Sequence, residues 1–140
     1  MIILDTNVIS EIMRPLPDKQ VVKWLQAQRV KNLFTTVIAE AELFKGVELM
    51  PSGKRRHALL QTIEQFLLID MGGRILAFDR TAARLFGTIY ALRQTRGRPI
   101  TPLDIEIAAI VRANSGTLAT RNTRDFEGCG IELVNPWHAT

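Results

Sequence analysis

Short apolar runs alternate with longer amphipathic stretches along the chain. The apolar runs are the ones expected of short buried strands, and they lie at 2–4, 32–34, 74–79, 117–120 and 132–134. One or two stretches of helical periodicity separate the first four runs from one another. This order predicts an α/β domain with a mainly parallel sheet of four to five strands, covered by helices on both faces.

Apolar residues at helical spacing predict the connecting helices. After a short helix that begins near Val8, the predicted segments are 18–28, 35–50, 57–68, 80–97 and 101–116. Asp18 and Thr35 or Thr36 are suitable N-caps. Thr101 is another, with Pro102 at the first helical position and Asp104 three residues on, in a capping-box pattern.

Composition limits the class of protein. With 140 residues, 46% of them hydrophobic and 23% charged, the chain is expected to form a single folded domain over residues 1–140. The single cysteine, Cys129, excludes an intramolecular disulfide and a cysteine-based zinc cluster, and it fits a reducing cytoplasm. No apolar stretch approaches the roughly 20 residues of a membrane span, and no signal peptide is recognisable, so we expect a cytoplasmic protein without a membrane partner.

The net charge of +4 permits attraction to nucleic acid without establishing it. Basic residues cluster at 54–56, at 93–98 and at 121–124. The first two clusters are interpreted as a solvated loop and a solvated helix end, where cations suit the helix dipole.

Four carboxylates stand out by position: Asp5 after the first strand, Glu42 in the second long helix, Asp104, and Asp125 after the fourth strand. Three of them follow strands or begin helices, which a parallel sheet brings to one edge. Each also has a purely structural interpretation, since Asp5 and Asp104 can cap helices and Asp125 can be a turn residue. Glu40 and Glu42 point about 200° apart on a helix, so at most one faces a shared site.

Gathered carboxylates repel one another unless a divalent cation neutralises them, and hard oxygen ligands suit Mg²⁺ or Mn²⁺. Such a cation can lower the pKa of a bound water for in-line attack on a phosphodiester. Nucleophilic triads are disfavoured, because His57 and His138 are the only histidines and are expected at the surface. A glycine-rich phosphate loop is missing as well.

Five ordered segments carry a family resemblance. They are LDTNVISE at 4–11, AEL at 41–43 followed by Gly46, LDIEIAA at 103–109, LATRNTRDFEG at 118–128 and NPW at 135–137. Together they resemble PIN-domain proteins of the VapC toxin family, in particular its FitB-type members, over essentially the whole chain. The resemblance implies a three-layer α/β/α fold with an acidic pocket that binds Mg²⁺ or Mn²⁺.

Residue roles carry over by position. The resemblance implies catalytic and metal-binding roles for Asp5, Glu42, Asp104 and Asp125. It implies supporting roles, which orient carboxylates or water, for Thr6, Asn7, Thr120 and Asn122. Asn122 departs from the pattern, because FitB-like proteins can carry an aspartate there. Arg121 and Arg124 are expected to take substrate phosphates.

The implied activity is divalent-metal-dependent cleavage of RNA by the toxin of a type II toxin–antitoxin pair. The implied partners are a cognate antitoxin that occupies the pocket, operator DNA reached through the antitoxin, and a second copy of the chain in a homodimer or higher assembly. A non-cleaving protein that clasps an antitoxin and supports operator regulation is the main alternative. A phosphatase with Asp5 as nucleophile is weaker, because Asn7 stands where a second aspartate is usual.

Overall fold

Five parallel strands form one central sheet in the computed structural model, which describes residues 1–139. The strands are β1 (Ile2–Leu4), β2 (Leu33–Thr36), β3 (Ile75–Leu76), β4 (Thr117–Ala119) and β5 (Glu132–Val134). Their order across the sheet is β3-β2-β1-β4-β5, and every neighbouring pair is parallel. The predicted α/β class, the parallel sheet and the number of strands are therefore confirmed.

Within residues 1–139, seven α-helices connect and cover the strands. They are α1 (Thr6–Ile12), α2 (Lys19–Gln26), α3 (Val37–Glu48), α4 (Lys54–Gln65), α5 (Arg80–Thr95), α6 (Pro102–Ala113) and α7 (Thr123–Phe126). A π-helical turn over Phe66–Asp70 extends α4, and a 3₁₀ turn over Val30–Asn32 precedes β2. None of the helices within residues 1–139 is long and apolar enough to cross a membrane.

The alternating sides of each strand divide the interior into two cores. Leu4 and Ala119 pack with residues of α1 to α4, whereas Ile3 and Leu118 pack with residues of α5 to α7. Successive side chains of a strand point to opposite faces, so adjacent residues of β1 and β4 serve different cores. The result is the expected three-layer α/β/α arrangement.

Helix starts follow the predicted caps. The Asp18 carboxylate accepts the backbone N–H groups of Gln20 and Val21, and the Thr36 hydroxyl accepts that of Ala39. Thr101 caps α6 with Pro102 at its first position. Local side chains stabilise these ends, which is why the sequence alone locates them.

Four elements differ from the sequence prediction. Helix α4 begins at Lys54, so the basic residues 54–56, which were expected in a solvated loop, form its first turn. The expected strand at 74–79 is only Ile75–Leu76, because its partner β2 ends at Thr36, where α3 begins. The brief strand expected at 32–34 lies instead at Leu33–Thr36, after the 3₁₀ turn. The four-residue helix α7 was not predicted.

Candidate functional site

Asp5 follows β1 directly, and it serves as the N-cap of α1. Its Oδ1 accepts the backbone N–H of Thr6 at 2.8 Å, and its Oδ2 accepts the Thr120 hydroxyl at 2.8 Å and the Asn7 side-chain amide at 3.4 Å. The residue is only 7% exposed. The capping interpretation of Asp5 therefore holds, and it leaves open a second role for the same carboxylate.

Thr120 and Asn7 connect the ends of β1 and β4. Thr120 is fully buried, and its Oγ1 accepts the Asn7 side-chain amide at 3.2 Å and the Asn122 backbone N–H at 3.1 Å. Asn7 Oδ1 in turn accepts the backbone N–H of Arg121 at 3.2 Å. These bonds fix the Asp5 carboxylate and the loop after β4 relative to each other.

Two further carboxylates reach the same region from α3 and α6. Glu42 Oε1 accepts the Thr6 hydroxyl at 2.8 Å. Asp104 lies in the first turn of α6, where its backbone N–H donates to Thr101 Oγ1 at 3.3 Å. Within residues 1–139 the reciprocal bond from the Thr101 N–H to the Asp104 carboxylate is missing, so only half of the predicted capping box forms. The Asp104 carboxylate therefore does not close the capping box.

A pocket of about 510 Å³ joins these side chains. Carboxylates, small polar groups, two arginines and one aromatic ring line it: Asp5, Thr6, Asn7, Ser10, Glu11, Arg14, Glu42, Asp104, Arg121, Asn122 and Trp137. Three of the four predicted carboxylates thus meet in one pocket at the carboxyl edge of the sheet. All the predicted supporting residues but Thr120, which lies beneath Asp5, line it too.

The pocket destabilises negative charge. Burial raises the pKa of Asp5 to about 6, against the hydrogen bonds from Thr120 and Thr6, and the charges of Glu42 and Asp104 raise it further. The pKa of Asp104 is also raised, chiefly by burial and then by the charges of Asp125 and Glu42, against the hydrogen bond with Thr101. A bound cation would relieve both effects.

The oxygen atoms that line the pocket are of the kind that hard cations prefer as ligands. Carboxylate and hydroxyl oxygens dominate the acidic side of the pocket, and among the residues the structure describes no three acidic, histidine or cysteine side chains converge closely enough to enclose an ion alone. Mg²⁺ usually binds through one or two carboxylates and retains several waters, so an open carboxylate-lined pocket fits it.

Comparison with known proteins decides the family. The model of the PIN domain matches residues 2–129. The chain belongs to the PIN-domain family. It is 41% identical to the VapC ribonuclease Y4jK of Sinorhizobium fredii over 137 residues, 98% of each protein. It is also 41% identical to the toxin FitB of Neisseria gonorrhoeae over 138 residues, 99% of each.

A solved structure of FitAB bound to an IR36 DNA fragment superimposes with a TM-score of 0.94 at 39% identity, covering 100% of this chain and 98% of that one. The resemblance of this PIN domain to the VapC family and its FitB-type members is thereby confirmed, as is its fold.

Asp125 and Arg124 lie outside the pocket lining of this PIN domain. Both belong to α7 and are exposed. The Asp125 charge nevertheless acts on Asp104, whose pKa it helps to raise. The structure therefore separates the four predicted acids into three that share the pocket and one that influences it from outside.

Arg93 holds α7 in place, and sequence reasoning misjudged it. The expectation of a solvated helix end is wrong for Arg93, which is 4% exposed. Its guanidinium donates to the backbone carbonyls of Arg98 (2.7 Å), Asp125 (2.6 Å) and Glu127 (3.0 Å). Four residues line the pocket although the sequence analysis gave them no role: Ser10, Glu11, Arg14 and Trp137. For Trp137 the motif NPW at 135–137 was the only signal.

Proposed function

We propose that this PIN domain is a divalent-metal-dependent endoribonuclease that hydrolyses RNA phosphodiester bonds and acts as the toxin of a type II toxin–antitoxin pair. Its near-full-length likeness to a protein named VapC ribonuclease and to one named toxin FitB supports both parts. The observation that carries the proposal is the convergence of Asp5, Glu42 and Asp104 from three separate elements on one pocket.

In this proposal Asp5, Glu42 and Asp104 would bind Mg²⁺ or Mn²⁺, in part through water molecules that the ion retains. The cation would supply an activated water and stabilise the charge that develops on the phosphate. Thr120 and Thr6 position the carboxylates of Asp5 and Glu42 through their hydroxyl hydrogen bonds. These bonds fix the orientation of both carboxylates within the pocket.

Four further residues in or beside the pocket carry the remaining roles in this proposal. Asp125 adds negative charge near Asp104 from outside the pocket, whereas the neutral Asn122 lines the pocket where FitB-like proteins can carry an aspartate. Arg121 lines the same pocket as the acids, and we propose that its guanidinium contacts a phosphate of the RNA. We propose Arg124 for a lesser contact with the RNA backbone beyond the pocket.

A groove of about 980 Å³ continues from the pocket toward α4 and shares Thr6, Ser10, Arg14 and Glu42 with it. We propose that a segment of a cognate antitoxin lies in this groove and reaches the acids from there. The FitAB complex on DNA supports an antitoxin partner and contact with operator DNA through that partner.

The deciding experiment is cleavage of a mixed RNA pool by purified, antitoxin-free protein in Mg²⁺, in Mn²⁺ and in chelator. We expect metal-dependent products from the parent protein, and a loss of at least about a hundredfold in rate in the Asp5→Asn and Asp104→Asn variants. Asp79→Asn is the matched control: Asp79 caps α5 as Asp5 caps α1, but it lies outside the pocket. Asn is itself a good N-cap, so Asp5→Asn and Asp79→Asn should fold. Asp104→Asn should fold as well, because Thr101 caps α6.

Retention of full activity by both pocket variants would refute the assignment. If the folded parent protein cleaved nothing in either metal, the alternative of a non-cleaving partner that clasps an antitoxin would lead instead. The neutral Asn122 and the position of Asp125 outside the pocket are the observations that favour this alternative.

A further inference from the structure

One part of the pocket wall is formed by a cation stacked on an aromatic ring. The Arg121 guanidinium lies over the indole of Trp137, 4.9 Å from the ring centroid. Both residues line the pocket that contains Asp5, Glu42 and Asp104. A flat, positively charged surface thus shares one space with the carboxylates.

Hydrogen bonds hold this pair in position. The Arg121 backbone N–H donates to Asn7 Oδ1 at 3.2 Å, and the Arg121 carbonyl accepts the Asn135 side-chain amide at 3.5 Å. Asn135 also accepts the Trp137 backbone N–H at 2.9 Å, which fixes the turn that carries the indole. Asn7 is itself bonded to Asp5, so the pair and the acids are built on one connected network.

The outer surface of the Arg121 guanidinium is available to a ligand. Arg121 is exposed, and within the described part of the chain its guanidinium forms neither an ion pair nor a hydrogen bond. Arg14, the other arginine of the pocket, is instead paired with Glu11 at 3.2 Å. Trp137 is partly buried against the core, and its indole covers one side of the guanidinium.

We propose that Arg121 and Trp137 form a stacking platform for one unpaired nucleobase of the RNA substrate, adjacent to the phosphate that is cleaved. This inference rests on the proposed ribonuclease function. Unpaired bases stack on arginine planes and on aromatic rings, and the guanidinium edge can reach a neighbouring phosphate at the same time. A base within a duplex has no free face, so the platform selects single-stranded or looped RNA.

An RNA base suits this surface better than a basic antitoxin side chain. Arg121 brings positive charge to its part of the pocket, which attracts a polyanion and repels a lysine or arginine of a partner. The three acids of the pocket instead attract a cation and repel a phosphate. The pocket therefore offers two separate subsites, one for a cation and one for a nucleotide.

The test separates base stacking from phosphate attraction. In the Asp5→Asn background, which prevents cleavage, we would measure binding of a short single-stranded RNA pool and of an abasic ribose-phosphate oligomer of the same length. Arg121→Lys keeps the charge but removes the plane. We expect it to weaken binding of the RNA pool by about 3- to 30-fold, while binding of the abasic oligomer changes by less than about twofold.

Two further variants sharpen the result. Trp137→Leu should likewise weaken binding of the RNA pool but not of the abasic oligomer. Trp137→Phe retains a ring and should therefore keep most of the affinity for the RNA pool. Arg29→Ala is the matched control, because Arg29 is an exposed arginine before β2, at the opposite edge of the sheet from the pocket. We expect it to leave binding of both oligomers unchanged.

Equal weakening of both oligomers by Arg121→Lys, or no weakening of either, would overturn the platform and leave the ribonuclease proposal intact. Selective weakening in a protein whose parent cleaves no RNA would support the platform and refute the ribonuclease proposal. Failure of the Asp5→Asn protein to bind the RNA pool would overturn the platform, whereas cleavage by the parent protein decides the ribonuclease proposal separately.

Discussion

Asp5 caps helix α1 from a buried position in which its negative charge is disfavoured. As an N-cap with three hydrogen-bond donors it is well held, yet burial and two neighbouring carboxylates oppose its ionisation. A residue that only capped a helix would be placed at the surface, where its charge is solvated. The cost of burying Asp5 therefore indicates a requirement beyond the helix start.

The pH dependence of stability should expose this cost. A pKa raised from 3.8 to about 6 means that ionised Asp5 destabilises the metal-free folded protein by about 3 kcal/mol relative to its protonated form. The stabilisation from protonated Asp5 is complete below about pH 4 and is lost as the pH rises through about 6. As the pH rises between these limits, the free energy of unfolding of Asp5→Asn should increase by up to about 3 kcal/mol relative to that of the parent. Urea unfolding in the presence of chelator measures this difference.

Asp79→Asn provides the comparison, since Asp79 caps α5 as an exposed residue. Its free energy of unfolding relative to the parent should show no gain over the same pH range. A constant difference between Asp5→Asn and the parent from about pH 4 to about pH 8 would contradict the destabilised carboxylate.

At the scale of single residues, the sequence identifies groups whose contacts are local. The caps at Asp18, Thr36 and Thr101 depend on backbone groups two or three residues away, which the sequence displays. Arg93 and Trp137 depend on partners far along the chain. No local pattern distinguishes a buried arginine from the exposed ones around it.

The Arg93 contacts join three elements: the end of α5, the loop before α6 and helix α7. Arg93→Met keeps much of the side-chain volume but leaves the carbonyls of Arg98, Asp125 and Glu127 without their donor. We expect the free energy of unfolding to fall by about 2–4 kcal/mol, measured by urea titration. Arg84→Met, an exposed substitution on the same helix, should cost less than about 0.5 kcal/mol.

Replacement by alanine is expected to change stability in opposite directions at two glycines. A Cβ on Gly116 would lie 2.7 Å from Cδ1 of the fully buried Ile3, whereas a Cβ on Gly87, inside α5, meets nothing within 4 Å. Gly116→Ala should therefore destabilise by about 1–3 kcal/mol through overpacking. Gly87→Ala should stabilise by about 0.5–1 kcal/mol through its higher helix propensity. Thermal unfolding measures both variants, and shifts of the same sign in their midpoints would contradict the difference in packing at the two glycines.

At the scale of elements, the long helices and central strands could be predicted because their periodicity spans many residues. The extent of β3 could not, since it depends on where its neighbour β2 ends. Helix α7 has four residues, too few for a periodic signal. Its position beside the site is set by the remote Arg93 side chain.

At the scale of the whole molecule, the site follows from the parallel sheet. β1 and β4 are neighbours with the same direction, so Asp5 and Thr120 meet although 115 positions separate them. α3 and α6 begin at the same edge and add Glu42 and Asp104. Predicting the sheet was therefore sufficient to group Asp5 with Asp104, whereas Glu42 was assigned to the site through the family resemblance. It was insufficient for Asp125, whose α7 segment lies outside the pocket lining.

The groove beside the acids gives a prediction about assembly. Ala58 lines it as an exposed residue of α4, away from the acidic pocket itself. Ala58→Arg would fill the groove without disturbing the core, so we expect it to weaken the antitoxin complex by at least about tenfold and to leave RNA cleavage by the free protein within about twofold. Ala83→Arg, equally exposed but on α5, should affect neither measurement. Tight antitoxin binding by Ala58→Arg would place the partner elsewhere, whereas loss of cleavage would mean that the groove also carries the RNA.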